Sequence, residues 1–244
     1  MIWCYCVVLC QCKTYKEIVV MDIIAKNTTA VVAADGSTAY VVRKLSKVKD
    51  KPVYNFFKRA FDICASLAAI IVLAIPMLII ALLIIIDSPG GAIYKQERLG
   101  LNGSRFTLYK FRTMVADAEK ETGACWAAEN DARCTKLGKF LRSVRLDELP
   151  QLFNIFKGDM SVVGPRPERE IFYEQFATYI DGFDQRLLIV PGLSGLAQIN
   201  GGYDLQPEEK IAYDLEYIET RSLWLDIKII FKTLAVVFTS RGAR

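Results

Sequence analysis

The stretch ICASLAAIIVLAIPMLIIALLIII, residues 63–86, decides the fold: its 24 residues carry no charge, and Ser66 and Pro76 are the interruptions of note. On length it is a membrane-helix candidate. Pro76, near the middle, removes a backbone donor and clashes with the preceding turn. The flanks are basic on both sides. Seven Lys and Arg lie within residues 43–59, and Lys95, Arg98, Arg105, Lys110 and Arg112 follow the turn Asp87-Ser88-Pro89-Gly90-Gly91. The positive-inside bias holds both ends in the cytoplasm. A helix that breaks at Pro76 and turns back meets both conditions. Its first arm, residues 63–75, is about 20 Å long, short of a roughly 30 Å hydrocarbon core. A re-entrant, monotopic helix-break-helix anchor is therefore expected in preference to a true span. A buried core helix pair is disfavoured because no polar face interrupts the stretch.

The rest of the 244-residue chain is about one domain's worth. It is 52% hydrophobic, with 31 basic residues against 27 acidic ones. That excludes a disordered chain, and a net charge of +4 argues weakly for any polyanion. The basic run at residues 43–51 reads as a solvated or anionic-lipid-facing segment beside an apolar anchor, so no nucleic-acid partner is expected. The chain has no histidine. Ser-His-Asp and Cys-His nucleophile systems, His-ligated zinc and histidine general bases are all excluded. Of seven cysteines, four (Cys4, Cys6, Cys10 and Cys12) have neither zinc-knuckle nor CxxC spacing. The reading preferred there is a poorly ordered or misassigned start, with Met21 as an alternative. Met1 to Leu9 lacks a basic n-region, so a signal peptide is not assigned.

Three regions follow: an N-terminal appendage at 1–52, disordered in whole or part; the anchor at 53–91; and a cytoplasmic catalytic domain at 92–244. Overall the expectation is an α+β, membrane-associated monotopic domain with a small β-hairpin and interfacial amphipathic helices. Residues 31–42, around Asp35-Gly36, give a weak hairpin signal, and Asn102-Gly103 predicts a type I′ hairpin between 92–98 and 105–111. Residues 114–122 read as a short charged helix. Leu137, Phe140, Leu141 and Val144 recur at helical spacing, as do Leu149, Leu152, Phe153 and Phe156. A turn at Gly158-Asp159 leads to a short strand at 161–163. Along 223–238, Leu223, Ile227, Ile230, Phe231, Leu234 and Phe238 form one stripe, which fits an interfacial helix or ordinary core packing equally.

Candidate chemistry lies in three segments. In Leu146-Asp147-Glu148-Leu149-Pro150-Gln151, Asp147 is a natural N-cap, with Pro150 tolerated in the first turn that follows. The same geometry suits phosphate, because a helix N-terminus presents free N–H groups. Two adjacent carboxylates beside a phosphate require cations. Glu148 can recruit Mg²⁺, and Arg142 or Arg145 can clamp phosphate oxygens bidentately. An ionised aspartate beside a neutralised phosphate can then attack phosphorus. In Gly164-Pro165-Arg166-Pro167-Glu168, prolines on both sides aim the Arg166 guanidinium. The third segment, residues 190–202, is Gly-rich without Walker or dinucleotide-binding spacing.

Together with Tyr109-Lys110-Phe111-Arg112-Thr113-Met114, Lys157-Gly158-Asp159-Met160-Ser161 and Pro191-Gly192-Leu193-Ser194-Gly195-Leu196-Ala197-Gln198, these motifs resemble the bacterial sugar transferases, the small monotopic phosphoglycosyl transferases, from about Tyr54 to Val237. The resemblance implies an enzyme that moves a sugar 1-phosphate from a UDP-sugar to polyprenyl (undecaprenyl) phosphate, releasing UMP and starting polysaccharide or glycoconjugate assembly. It places the enzyme at the cytoplasmic face of the bacterial inner membrane. By resemblance Asp147 is the nucleophile that forms a covalent phospho-sugar intermediate, and Glu148, with Asp147, holds Mg²⁺. Arg142 and Arg166 match phosphate-binding positions, and Lys110, Arg112 and Arg145 join them as substrate-binding candidates. Galactose, glucose and N-acetylated sugars all fit, and a homo-oligomer is left open.

The chain departs from the family's pattern in three places. Ile75 stands where a serine often precedes the kinking proline, so the break needs other support. Asn200-Gly201-Gly202 lacks a common arginine, which bears on sugar preference. Residues 1–52 are too few for the longer N-terminal membrane domain of many relatives. From another class, a catalytically silent scaffold of a polysaccharide-synthesis complex would be signalled by loss of Asp147, Glu148 or Arg166, and all three are present.

Overall fold

A computed structural model describes residues 22–32, 37–45, 48–115, 118, 131–202 and 205–239. Its longest element is helix α1, Pro52–Asp87. It begins eleven residues before the uncharged stretch, with Pro52 in the first turn, where a missing N–H costs nothing. The added turns are amphipathic. Tyr54 and Lys58 both reach the carboxylate of Asp226 at 2.9 Å, and the buried Asp62 accepts the Val162 N–H at 2.9 Å. Where the sequence predicts a helix-break-helix, helical backbone runs through Pro76 to Asp87, so a change of direction there is a bend within one helix and not an interruption of it. A single proline deletes one backbone bond, which a helix of 36 residues tolerates.

Both arms of α1 reach the same domain. On the first, Arg59 donates to the Ile155 and Phe156 carbonyls at 2.7 Å each. On the second, Ile80 and Ile84 pack in a cluster with Phe111, Leu141, Leu146 and Leu149. Between them Ile71, Val72, Ile75, Leu78 and Ile79 are exposed.

Strands β1 (Thr28–Val32) and β2 (Thr38–Val42) pair antiparallel, as the Asp35-Gly36 signal predicts, while positions 33–36 lie outside the described residues. This part of the segment read as an appendage is joined to the rest of the chain. Strand β2 pairs in parallel with a short strand at Ile180–Asp181, Asn27 donates to the Ala212 carbonyl, and Arg43 binds Glu219 at 2.7 Å. Cys4, Cys6, Cys10, Cys12 and Cys125 lie outside the described residues, as does most of the helix expected at 114–122.

The hairpin of β3 (Ile93–Leu99) and β4 (Arg105–Phe111) forms in full register. Its connection is corrected from a two-residue I′ turn to the five residues 100–104. Asn102 and Gly103 do adopt the positive φ such a turn needs (53° and 77°), but inside a 3₁₀ turn. After it come α2 (Lys136–Ser143), α3 (Gln151–Lys157), β5 (Ser161–Val163) and α4 (Glu170–Ala177). The strand at Ile180–Asp181 is β6, and the chain continues with β7 (Gly192–Ser194), α5 (Leu196–Asn200), α6 (Pro207–Thr220) and α7 (Leu223–Thr239). The main core joins α4 and α6, with Phe172, Tyr173, Phe176, Phe183, Ile211 and Leu215 among its buried side chains.

Helix α7 resolves the choice left open for its stripe. Leu223, Ile227, Phe231 and Leu234 are exposed, with Trp224 at 77%, whereas Ile229 and Asp226 face inward. Of the predicted stripe these residues face outward, while Ile230 is half-buried against the cluster of Val163, Tyr217 and Ile229, and the Phe238 side chain lies outside the described residues. Phe140 on α2 and Phe153 and Phe156 on α3 are exposed as well. Apolar surface of this kind marks contact with a partner or a membrane rather than core packing.

Candidate active site

Asp147 and Glu148 share one 3₁₀ turn, Leu146–Glu148. The N-cap expectation for Asp147 is corrected, since Pro150 holds that position before α3 and Asp147 lies three residues earlier. The chain enters the 3₁₀ turn through a backbone reversal at Arg145, which adopts left-handed φ of 58°. A non-glycine residue there is uncommon and strained, and such conformations cluster at functional sites. Leu146 and Leu149, on either side of the pair, pack into the cluster built on Ile80 and Ile84. The carboxylates are thereby fixed against the second arm of α1.

Two cations converge on them. Lys110, from β4, lies 3.1 Å from Glu148 Oε1 and 3.9 Å from Asp147 Oδ2. Arg166 donates through both terminal nitrogens to the Glu148 carboxylate, with Nη1 3.3 Å from Oε2. The side chains of Asp147 and Glu148 are only 10% and 11% exposed, so these charges act through little water. Burial pushes the Asp147 carboxyl above its usual range, and the Glu148 charge adds to this. Lys110, Arg142 and Arg166 oppose both without reversing them. Burial alone would raise Glu148 too, but Arg166 and Lys110 outweigh it and hold Glu148 well below the carboxylate range. The two adjacent acids are thus split in character, a pattern typical of working sites.

Of the other candidates, Arg142 donates through Nε to Thr113 Oγ1 at 2.9 Å, and its charge is felt at Asp147. The charge of Arg145 is felt at Glu148. Arg112 is not brought to the carboxylates. Its Nη1 donates to the Pro89 carbonyl, and its Nη2 donates to those of Ser88 (2.7 Å) and Ile84 (3.3 Å). It caps the C-terminus of α1, where carbonyls lack intrahelical partners. Arg112→Gln is therefore expected to lower stability by about 1–2 kcal/mol, read as a drop in unfolding midpoint. Any activity of the folded protein should keep its KM within about twofold, because capping makes no contact that differs between bound and free states.

The aim of Arg166 has more behind it than its prolines. The Pro165 carbonyl accepts from Gly192 N–H at 2.8 Å, that of Arg166 from Arg186 at 2.9 Å, and that of Glu168 from Leu99 N–H at 3.1 Å. Arg98 pairs with the Glu168 side chain at 3.0 Å. The Gly-rich loop explains itself here. Its strand β7 runs in parallel beside β5, and Gly192 and Gly164 approach so closely that neither has room for a Cβ. Arg186 is held in turn by the buried Asp214 at 2.8 Å. This pair was missed by sequence reasoning, as neither residue sits in a motif. Their 28-residue separation leaves no local signal.

The family whose model matches this chain is described as bacterial sugar transferase, over residues 53–240. A UDP-N-acetylgalactosamine-undecaprenyl-phosphate N-acetylgalactosaminephosphotransferase of Aeromonas hydrophila is 43% identical over 204 residues, which is 82% of this chain and 48% of the relative. A UDP-glucose:undecaprenyl-phosphate glucose-1-phosphate transferase of Klebsiella pneumoniae is 43% identical over 192 residues, 77% of this chain and 41% of the relative. An undecaprenyl-phosphate galactose phosphotransferase of Salmonella typhimurium is 39% identical over 203 residues, covering 78% and 42%. The chain spans just under half the length of these three relatives.

Proposed function

The chain belongs to the bacterial sugar transferase family, and on that premise we propose that it transfers a sugar 1-phosphate from a UDP-sugar to polyprenyl phosphate. The observation that carries this reading is the convergence of Lys110 and Arg166 on Asp147 and Glu148 at the foot of an apolar helix. One catalyst must handle a water-soluble diphosphate and a membrane-bound phosphate, so the site belongs at headgroup height.

In the first step an Asp147 carboxylate oxygen attacks the phosphorus that bears the sugar. An oxygen–phosphorus bond forms, the bridging bond of the diphosphate breaks, and UMP leaves with the electron pair. The Glu148 pairing already partly neutralises Lys110 and Arg166, so an incoming phosphate shares them rather than meeting bare cations. In the second step a phosphate oxygen of the polyprenyl carrier attacks the same phosphorus. The bond to Asp147 breaks and the carboxylate returns. The half-strained turn at Arg145 and the packing of Leu146 and Leu149 hold Asp147 in place through both steps.

Mg²⁺ fits this donor set. The ion takes one or two protein carboxylates together with substrate phosphates, and this site offers two adjacent ones. Asp147 and Glu148 would hold it, and it would neutralise charge on the diphosphate.

The membrane reading extends from the anchor. α1 is long and apolar enough to enter a bilayer, and little of its most apolar part is buried against protein. A re-entrant dip, with both ends at the cytoplasmic face of the inner membrane, is supported by its two domain-bound arms, its exposed middle and its basic flanks. The outward stripe of α7 would lie in the same interface.

Relatives named for N-acetylgalactosamine, glucose and galactose stand at nearly equal identity. The test is therefore a panel of UDP-sugars offered to the detergent-purified enzyme with undecaprenyl phosphate. UMP release is expected with at least one donor, dependent on the lipid for sustained turnover and stopped by EDTA. No release with any donor would end the reading.

A further inference from the structure

Gln151, the first residue of α3, is fully buried, and neither its Oε1 nor its Nε2 has a hydrogen-bond partner in the protein. A buried amide left this way calls for a reason, since folded chains pair nearly all of theirs. The local fold does satisfy amides. Asn154, three residues on and equally buried, accepts from Tyr109 N–H at 3.1 Å and donates to the Thr107 carbonyl at 2.7 Å. An apolar side chain of the same length would fill the Gln151 site at lower cost.

Placement supplies the reason. Helical backbone is nearly continuous from Leu146, with Leu149 and Pro150 both right-handed and Leu149, Leu152 and Phe153 donating three residues back. Gln151 lies three residues after Glu148 and four after Asp147, spacings that set side chains on one face of a 3₁₀ or α-helical turn. A Gln–Asp pair four apart is among those that hydrogen-bond on helices. The orphaned amide thus lies on the side of the turn that carries the carboxylate pair, in line with Glu148 by the 3₁₀ spacing and with Asp147 by the α-helical one.

We propose that Gln151 is a positioning residue for the transfer: its Nε2–H holds the Asp147 carboxyl oxygen that does not attack, both before the bond to phosphorus forms and in the acyl-phosphate. The same oxygen remains an acceptor throughout, so Gln151 exchanges no proton and the balance of each step is unchanged. Its hydrogen bond is made on substrate binding, in keeping with catalytic contacts that tighten only in the loaded enzyme. This rests on the reading of Asp147 as the nucleophile.

The test compares wild type with Gln151→Met and Gln151→Leu, which fill the volume without the amide. Both are expected to unfold at or above the wild-type temperature. Their kcat should fall about 10- to 100-fold, the KM for the UDP-sugar should stay within about threefold, and single-turnover UMP release should slow by the same factor as kcat. Wild-type turnover in either folded variant overturns the inference. So does unfolding of both variants where wild type is folded, which would assign Gln151 to the core. A wild-type enzyme silent toward every UDP-sugar would instead end the reading on which the inference stands.

Discussion

Asp147→Asn is expected to lower UMP release by at least about 10³-fold and to abolish a phospho-sugar adduct on the peptide containing residue 147, with no loss of folded protein. Asparagine has nearly the same shape but no lone pair basic enough to attack phosphorus, so the first bond cannot form. Stability should hold because of the sign of the Asp147 perturbation. Burial raises its folded-state pKa. Its stabilising contribution is complete below the unfolded carboxylate value of about 3.9 and is lost as pH rises through the higher folded value. At neutral pH an ionised Asp147 therefore weakens the fold, and the neutral amide relieves that. The unfolding midpoint of the variant at pH 8 should equal or exceed that of wild type. In wild type, kcat/KM should rise with pH through an acid limb placed above the ordinary carboxylate range, since in the proposed reaction only the ionised form attacks. Full activity in the asparagine variant would remove the nucleophile role. Intact-mass analysis of wild type incubated with donor and no lipid reads the adduct directly.

The candidate residues that the fold brings together, Asp147, Glu148 and Arg166, could be picked out because their motifs are local in sequence. Two acids, a proline two residues on, and an arginine between prolines can be read without knowing what lies across the fold. The short strand at Ser161–Val163 and the helices after 136, 151 and 223 were legible for the same reason, through turn residues and hydrophobic period. What was not legible depends on distant partners. Arg112 looks like a phosphate ligand from its motif, and only the return of α1 to β4 shows that helix carbonyls take its guanidinium. Asp226 on α7 is drawn inward by Tyr54, Lys58 and Tyr217, partners 9 to 172 positions away that no local pattern reveals. The stripe of α7 was ambiguous because period alone identifies an apolar face without saying what faces it. The anchor's expected start at 53 matches helix α1, but absence of charge marks only its part from residue 63 on. Its first turns are instead amphipathic and bonded to the domain.

Glu148→Gln tests the other half of the carboxylate pair, and it should fail differently from Asp147→Asn. Glu148 is the anchor of Arg166 and Lys110, and its folded pKa is depressed. Its contribution is present above the unfolded value of about 4.3 and is lost only as pH falls through the lower folded value. The glutamine variant should therefore be less stable at neutral pH by about 3 kcal/mol, because two poorly solvated cations lose their carboxylate. That deficit should narrow only in strongly acidic solution. Turnover should fall about 10²- to 10³-fold, as Arg166 and Lys110 are no longer held where the diphosphate meets them. The residual activity carries the sharper diagnostic. The Glu148 charge is one of the influences that raise Asp147, so its removal must let Asp147 ionise at lower pH. The acid limb of the remaining activity should shift downward in Glu148→Gln. In Arg166→Gln the same limb should shift upward, since that guanidinium lowers Asp147. Opposite displacements from two variants that both weaken turnover are expected of a titrating group that feels both charges, as Asp147 does. Limbs that stay put in both variants would place the essential ionisation elsewhere.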